Sequence, residues 1–231
     1  MAQSGISALL ATSFGLIGSS PVCAADDAFG AWTIFTVADR FGDQTNKSQW
    51  RYTFAAQYRY LDRNAGIETL LLRPALGLQV NKNLSLFAGY AYAVAEPFTG
   101  NSRDEHRLWQ QAAWITAVRG QSSLTLRTRL EQRWLETGDD VGLRLRQQIK
   151  WARPVQGDGG KRLIVSLEPF FHVGRTDWGA QPGLAQVRAF IGISLPLNDR
   201  LTLETGYAPQ WVRRKGDTDL LNHIVSFNFK L

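Results

Sequence analysis

From Leu124 to Trp134 apolar and charged positions alternate. Leu124, Leu126, Thr128, Leu130, Gln132 and Trp134 share one parity; Thr125, Arg127, Arg129, Glu131 and Arg133 share the other. The next segment repeats the design, with Val141, Leu143, Leu145, Ile149 and Trp151 against Arg144, Arg146, Gln148 and Lys150. Period two sends each set to its own face of a β-strand. An Arg facing hydrocarbon at mid-bilayer costs about 2–4 kcal/mol, so five in the wrong phase cost on the order of 10 kcal/mol. The phase is therefore apolar outward and charged inward, the pattern of a transmembrane β-barrel.

The alternation recurs along the chain. Trp50, Tyr52, Phe54, Ala56, Tyr58 and Tyr60 oppose Arg51, Thr53, Gln57 and Arg59. Leu70, Leu72, Leu76 and Leu78 oppose Arg73, Gly77 and Gln79, and Leu84, Leu86, Ala88 and Tyr90 oppose Ser85, Phe87 and Gly89. Glu105–Val118 is noisier, with Arg107, Trp109 and Gln111 on its inward face. Later strands place Arg162, Ser166, Glu168 and His172, then Arg188, Phe190, Gly192 and Ser194, then Thr202, Glu204, Gly206 and Gln210 inward. Trp32–Phe41 alternates only loosely.

Short turns at Asn81-Lys82-Asn83, Gly120-Gln121-Ser122 and Asn198-Asp199-Arg200 interleave with longer connections near 96–104, 136–140 and 174–183. Such interleaving separates the two ends of a barrel. The count from Trp50 onward is about ten strands, with twelve as the alternative, because antiparallel closure disfavours an odd number. The expected fold is thus all-β: an antiparallel transmembrane barrel over 48–231, preceded by an N-terminal extension or first strand at 26–47. Asn81–Tyr90 also parallels Asn198–Tyr207, and Arg73 with Gly77 stands before the first copy as Arg188 with Gly192 does before the second. One hairpin design is used twice.

Composition sharpens this. With 231 residues, 44% hydrophobic and 20% charged, the chain suits one all-β domain. Nothing after the N-terminal segment is long and apolar enough for a helical span. Residues 1–25 read as a cleaved signal peptide: Ile6–Ile17 is apolar, Gly18–Pro21 breaks it, and small residues follow around Cys23, although the first four residues carry no Lys or Arg. Cys23 is the single cysteine, so the mature chain would hold no disulfide or thiol chemistry. The formal charge of +6 comes with arginines spread singly along strands rather than in a basic block, which argues against nucleic acid as a partner. The chain closes with Val225, Phe227, Phe229 and Leu231 at alternate places. This resembles the C-terminal signal read by the barrel-insertion machinery, though with Leu in place of the usual aromatic.

Three groups of residues carry a wider resemblance: Glu105-His106-Arg107-Leu108-Trp109-Gln110-Gln111, Arg127–Trp134 and Gly142-Leu143-Arg144-Leu145-Arg146. Glu168 with Phe170-Phe171, Thr176-Asp177-Trp178-Gly179, Arg188, the two Gly-Tyr pairs and Asn222-His223 extend it over most of the mature chain. In these the chain resembles the bacterial outer-membrane proteins grouped as domain of unknown function 2490. The resemblance implies a barrel and an outer-membrane address; it carries no activity and hence no catalytic residues.

The candidate site is the inward charge cluster of Arg107, Arg127, Arg129, Glu131, Arg133, Arg144, Arg146, Glu168, Arg188 and Glu204. Buried charges must be paired, and guanidinium holds carboxylates at two points, so the cluster could simply fill a narrow lumen. Alternatively its excess of Arg could bind an anion. The expected function is accordingly structural or envelope-maintaining, or that of a narrow anion-preferring conduit, in a monomer surrounded by outer-membrane lipid. The alternative is a lipid-modifying hydrolase built on His106, His172 or His223, which would need a nucleophile and an orienting group beside the imidazole. No phosphate loop, zinc spacing or carboxylate metal loop is present, so no cofactor or metal is expected.

Overall fold

The computed structural model describes residues 25–231 except 43–46, 63–65, 96–101, 119–120, 156 and 158. The expected signal segment with Cys23, Gly120 of the expected turn at 120–122 and most of the 96–104 loop lie outside the described residues. The strands are β1 (Asp26–Gly42), β2 (Lys47–Leu61), β3 (Gly66–Gln79), β4 (Leu84–Ala95), β5 (Arg103–Val118) and β6 (Ser122–Leu135). They continue as β7 (Gly142–Pro154), β8 (Arg162–His172), β9 (Gly183–Pro196), β10 (Thr202–Tyr207), β11 (Gln210–Val212) and β12 (Leu220–Lys230).

Each strand from β1 to β10 pairs with the next, β12 lies beside β10, and β12 returns to β1 to close a barrel. β10 and β11 share one place in the ring, since both pair with β9 on one side and β12 on the other. Pro209 separates them because it has no N–H for the ladder. The ladder is otherwise kept: Ala208 N donates to Ile224 O at 2.8 Å and Ala189 N to Pro209 O at 3.0 Å.

The ring therefore has 11 strand positions, between the ten and twelve read from the sequence. An odd ring cannot be antiparallel throughout. Here β1 pairs in parallel with β12, from Asp26↔Leu220 to Thr36↔Lys230. The segment 26–42 is thus a full wall strand and not an extension. Because β1 and β12 run the same way, Asp26 begins at the end opposite Leu231. The connections around 80–83, 121, 155–161 and 197–201 gather at the Leu231 end, and those at 136–141, 173–182 and 213–219 at the other.

Burial follows the parity of the sequence. Leu76, Leu86, Leu108, Leu145, Ile149, Leu163, Val165, Leu167, Ile191 and Val225 are exposed on the outside, while Arg129, Glu131, Arg146 and Glu168 are buried within. Aromatic rings mark both ends of the outer surface: Phe41, Trp50 and Trp114 toward the Leu231 end, and Phe29, Tyr60, Tyr90, Phe171 and Tyr207 toward the other, all exposed.

Two inward apolar clusters stiffen the wall: Ala28, Trp32, Leu61, Ala208 and Ile224 with Phe190, and Leu71, Ala75, Ala91, Ala93 and Trp109 with Phe87. Glycine makes room for these rings. A Cβ on Gly77 would strike the Phe87 ring, and one on Gly89 the Trp109 ring. Gly192 faces Gly206 across β9 and β10, and a Cβ on either would meet backbone of the neighbouring strand.

The two hairpin copies fold alike. Asn81 Oδ1 accepts from Asn83 N at 2.9 Å and Leu84 N at 3.0 Å, and Asn198 Oδ1 accepts from Arg200 N and Leu201 N at 2.9 Å. An Asn side chain bonded to backbone two and three residues on closes a tight turn.

The parallel seam gives a direct check. In a Cys23→Ser background, cysteines replacing Ala31 and Val225, which are register partners, should crosslink on mild oxidation. Moving the second cysteine to position 224 should abolish the crosslink, because Ile224 points into the barrel.

Candidate functional site

The inward arginines of β6 and β7 face one another. Arg129 is the register partner of Arg146, and Glu131 that of Arg144. Like charges directly opposite repel, so the sheet is held here by the carboxylates placed among them. Glu131, 2% exposed, accepts from Arg144 Nε at 2.8 Å and from Arg146 Nη1 at 2.8 Å, with Arg129 Nη1 at 3.8 Å. Glu168 on β8 accepts from Arg146 Nε at 2.9 Å and Arg127 Nη2 at 2.5 Å. The rest of the Arg129 fork goes to Gln111 Oε1, at 3.0 and 2.6 Å.

Aromatic faces take up further positive charge. Arg129 lies 3.9 Å from the centroid of Trp109, Arg146 4.4 Å from Phe170 and Arg188 4.3 Å from Trp32. Desolvated cation–π contacts of this kind contribute about 2 kcal/mol each.

Toward the end away from Leu231, Glu105 holds Arg107 through two hydrogen bonds, at 2.8 and 2.6 Å, and also bonds Arg133. The connections close over this group. Asp177 accepts from Asp139 N at 2.7 Å and Asp140 N at 3.3 Å, Asp177 N donates to Asp140 Oδ2 at 2.8 Å, and Trp178 Nε1 donates to Asp140 O at 2.8 Å. The amide of Asp139, and after it that of Asp140, holds the Asp177 carboxyl below its ordinary value. The Trp178 ring packs on Gly142 and lies 5.1 Å from the Arg133 guanidinium. Asp139 and Asp140, both exposed, are parts of this clasp.

The other half of the interior is hollow. A cavity of about 1050 Å³ runs from Asp39, Arg40, Arg51 and Lys230 at the Leu231 end to Trp32, Trp109, Glu168 and Arg188 in the middle of the barrel. Its lining contains none of Glu105, Arg107, Glu131, Arg133, Arg144 and Phe170. Among the described residues it is lined by nine Arg or Lys side chains and three carboxylates, those of Asp39, Glu168 and Glu204. Glu204 is taken by Lys150 Nζ at 2.9 Å and Lys230 Nζ at 2.5 Å.

All ten residues singled out in the sequence point into the lumen, and all but Arg188 fall into three groups. Glu131 and Glu168 bind Arg127, Arg129, Arg144 and Arg146 into one network. Arg107 and Arg133 belong to the Glu105 group nearer the clasp, and Glu204 lies near the Leu231 end. Arg188 has no carboxylate of its own. Glu105, Lys150, Lys230 and Arg73 also belong to the lumen; each shares the inward parity of its strand, and that signal could have included them. The packing of Trp109, Phe170 and Trp178 against guanidinium depends on neighbouring strands and has no sequence signal.

The histidines assemble no nucleophile. His223 Nδ1 meets Tyr207 Oη at 2.6 Å and its Nε2 lies 3.5 Å from Asp27 Oδ1, outside the barrel. His106 Nδ1 bonds Tyr90 Oη, and His172 Nε2 lies 3.3 Å from Arg133 Nη1. None of the three hydrogen-bonds a Ser, Thr or Cys side chain among the described residues.

The family description "Protein of unknown function (DUF2490)" matches residues 29–221. An uncharacterised protein of Methylorubrum extorquens is 39% identical over 163 residues, which cover 70% of this chain and 72% of that protein. No solved structure matches. The chain belongs to the DUF2490 family.

Removing one partner of a buried charge network costs about 3–5 kcal/mol, whereas an exposed pair contributes below about 1 kcal/mol. Glu131→Gln should therefore lower the urea unfolding stability by about 3–5 kcal/mol. Asp217→Asn, which breaks the exposed pair with Arg214 (2.6 Å), should change it by less than about 1 kcal/mol.

Proposed function

We propose that this DUF2490 protein is an outer-membrane barrel that admits anions into its lumen from the end carrying Leu231 and is closed at the other end at rest. The observation that carries the proposal is the one-sided cavity: nine cationic side chains line it against three carboxylates, and it stops at the paired charges of the central network.

The outer surface supports the membrane part of this reading. Fully burying one Val, Leu, Ile or Phe side chain is worth about 1.5–3 kcal/mol. The exposed apolar side chains from Leu70 to Phe227 would together forfeit tens of kcal/mol in water, against a net stability of about 5–15 kcal/mol for a domain. An apolar phase around the wall removes that cost, and the aromatic residues at both ends suit its two interfaces. Export by an N-terminal signal, and insertion guided by Val225, Phe227, Phe229 and Leu231 on the closing strand β12, complete the proposal.

A through-conduit would require the clasp and the Glu105 group to move aside. The hydrolase alternative has no support in the geometry of the three histidines.

Reconstitution into planar bilayers tests the proposal. The refolded chain should insert as a β-rich, heat-modifiable species and show little steady current. A Glu131→Ala and Trp178→Ala double variant that still inserts should show steps whose reversal potential in a salt gradient is anion-selective. A wild-type chain that stays soluble and monomeric without detergent would contradict the membrane assignment. Cation-selective steps would contradict the anion assignment.

A further inference from the structure

In the middle of the cavity, away from Arg40 and Arg51 at its mouth, Arg73 and Arg188 stand apart. Every other guanidinium of the central network has a carboxylate or amide oxygen. Arg73 has no hydrogen-bond acceptor and no ion-pair partner among the described residues. Arg188 is the register partner of Glu168, yet that carboxylate is spent on Arg146 of β7 and Arg127 of β6, on its other side. Arg188 is left with the faces of Trp32 and Phe170, at 4.3 and 5.2 Å.

Among the residues that line the cavity, the buried polar atoms left over are donors, Trp32 Nε1, Arg127 Nε and Arg188 Nε; the leftover acceptor Asn222 Oδ1 is not part of that lining. A buried cation without a partner is costly, and several donors converging without an acceptor describe a site for an oxyanion.

The two arginines are also the matching residues of the internal repeat. Arg73 precedes Gly77 by the same step as Arg188 precedes Gly192, on β3 and β9, which lie almost opposite each other around the ring. Each glycine leaves space that an aromatic ring fills, Phe87 beside Gly77 and Phe190 beside Gly192. Those rings, from two separate apolar clusters, and Ile34 and Ile164 all give apolar surface to the same cavity. The repeat thus delivers twice a free guanidinium beside an aromatic surface.

We infer that Arg73 and Arg188 form the binding site for an amphipathic oxyanion, a phosphate or carboxylate head carrying an apolar body. The head is held by the two guanidiniums and Trp32 Nε1, and the body lies against Phe87, Phe190 and Ile164. The inference rests on the anion-accepting lumen proposed above and names its ligand class. The mouth of the cavity is at one end of the barrel, so a soluble ligand has direct entry, whereas a bilayer lipid would have to leave its leaflet.

The test uses the full chain refolded in a non-ionic detergent, with thermal unfolding and Trp fluorescence as readouts. Hexyl phosphate should raise the midpoint and bind at least ten-fold more tightly than inorganic phosphate, while hexyltrimethylammonium should do neither. Arg73→Gln and Arg188→Gln should each weaken hexyl phosphate at least ten-fold and leave the ligand-free midpoint unchanged or higher, since each removes an unpaired charge. Arg214→Gln, near the far end, should leave binding unchanged.

Reconstitution in phosphatidylcholine vesicles with and without phosphatidic acid distinguishes the sources. Protection by hexyl phosphate alone supports a soluble ligand, and added protection by phosphatidic acid supports a lipid one. No protection by either overturns the inference. So does binding that survives both substitutions, a fall in the ligand-free midpoint of both variants, or equal affinity for inorganic and hexyl phosphate. Anion-selective current from the opened barrel together with any of these failures would sink the Arg73–Arg188 site and leave the proposed function standing.

Discussion

Glu131 sits among Arg129, Arg144 and Arg146, and Glu168 between Arg127 and Arg146. With the carboxylates gone, Arg129 and Arg146 would face each other as register partners with nothing between them but repulsion. The two carboxylates thus set how much positive charge the middle of the barrel can hold. Trp109 and Phe170 extend that capacity, since a ring face accepts a cation without adding a charge. The arrangement leaves arginines held by Glu105 on one side of the network and a cavity lined mainly by cations on the other.

That asymmetry runs along the whole molecule. In the proposed resting state the end opposite Leu231 is closed by the Asp140–Asp177 clasp and by Trp178 over Gly142. The Leu231 end is open, with Arg40, Arg51 and Lys230 around the mouth. The parallel seam of β1 and β12 fits the same picture, because an odd ring puts the start of β1 at the sealed end and the end of β12 at the open one. Parallel pairing is slightly less stable per residue than antiparallel, and Trp32 packed with Ala208 and Ile224 reinforces the wall from within.

Much of this was legible in the sequence, because period two fixes the face of every residue once one Arg is placed. The inward set follows from that rule, the sidedness of the connections from their alternating lengths, and the paired Asn turns at 81 and 198 from the internal repeat. Two things did not follow. Parity gives no sign of strand direction across the seam, so the loosely alternating 26–42 segment read as either an extension or a first strand, and the ring as an even one. Nor does parity say which acid takes which base. Arg188 is the register partner of Glu168, yet the carboxylate goes to Arg146 and Arg127 on its other side. The repeat pointed to Arg73 and Arg188 but could not show that both are left without an acceptor.

The central claim is that the hollow half is cationic and reachable from one end alone. Gln148 lines that half, so its replacement by cysteine, in a Cys23→Ser background, reports on both properties. In vesicles holding the protein in a single orientation, small membrane-impermeant thiol reagents of opposite charge are compared from each side. The account predicts reaction from the side of the Leu231 end only, with the anionic reagent at least ten-fold faster than the cationic one. Equal rates for the two charges, or labelling from both sides, would contradict it.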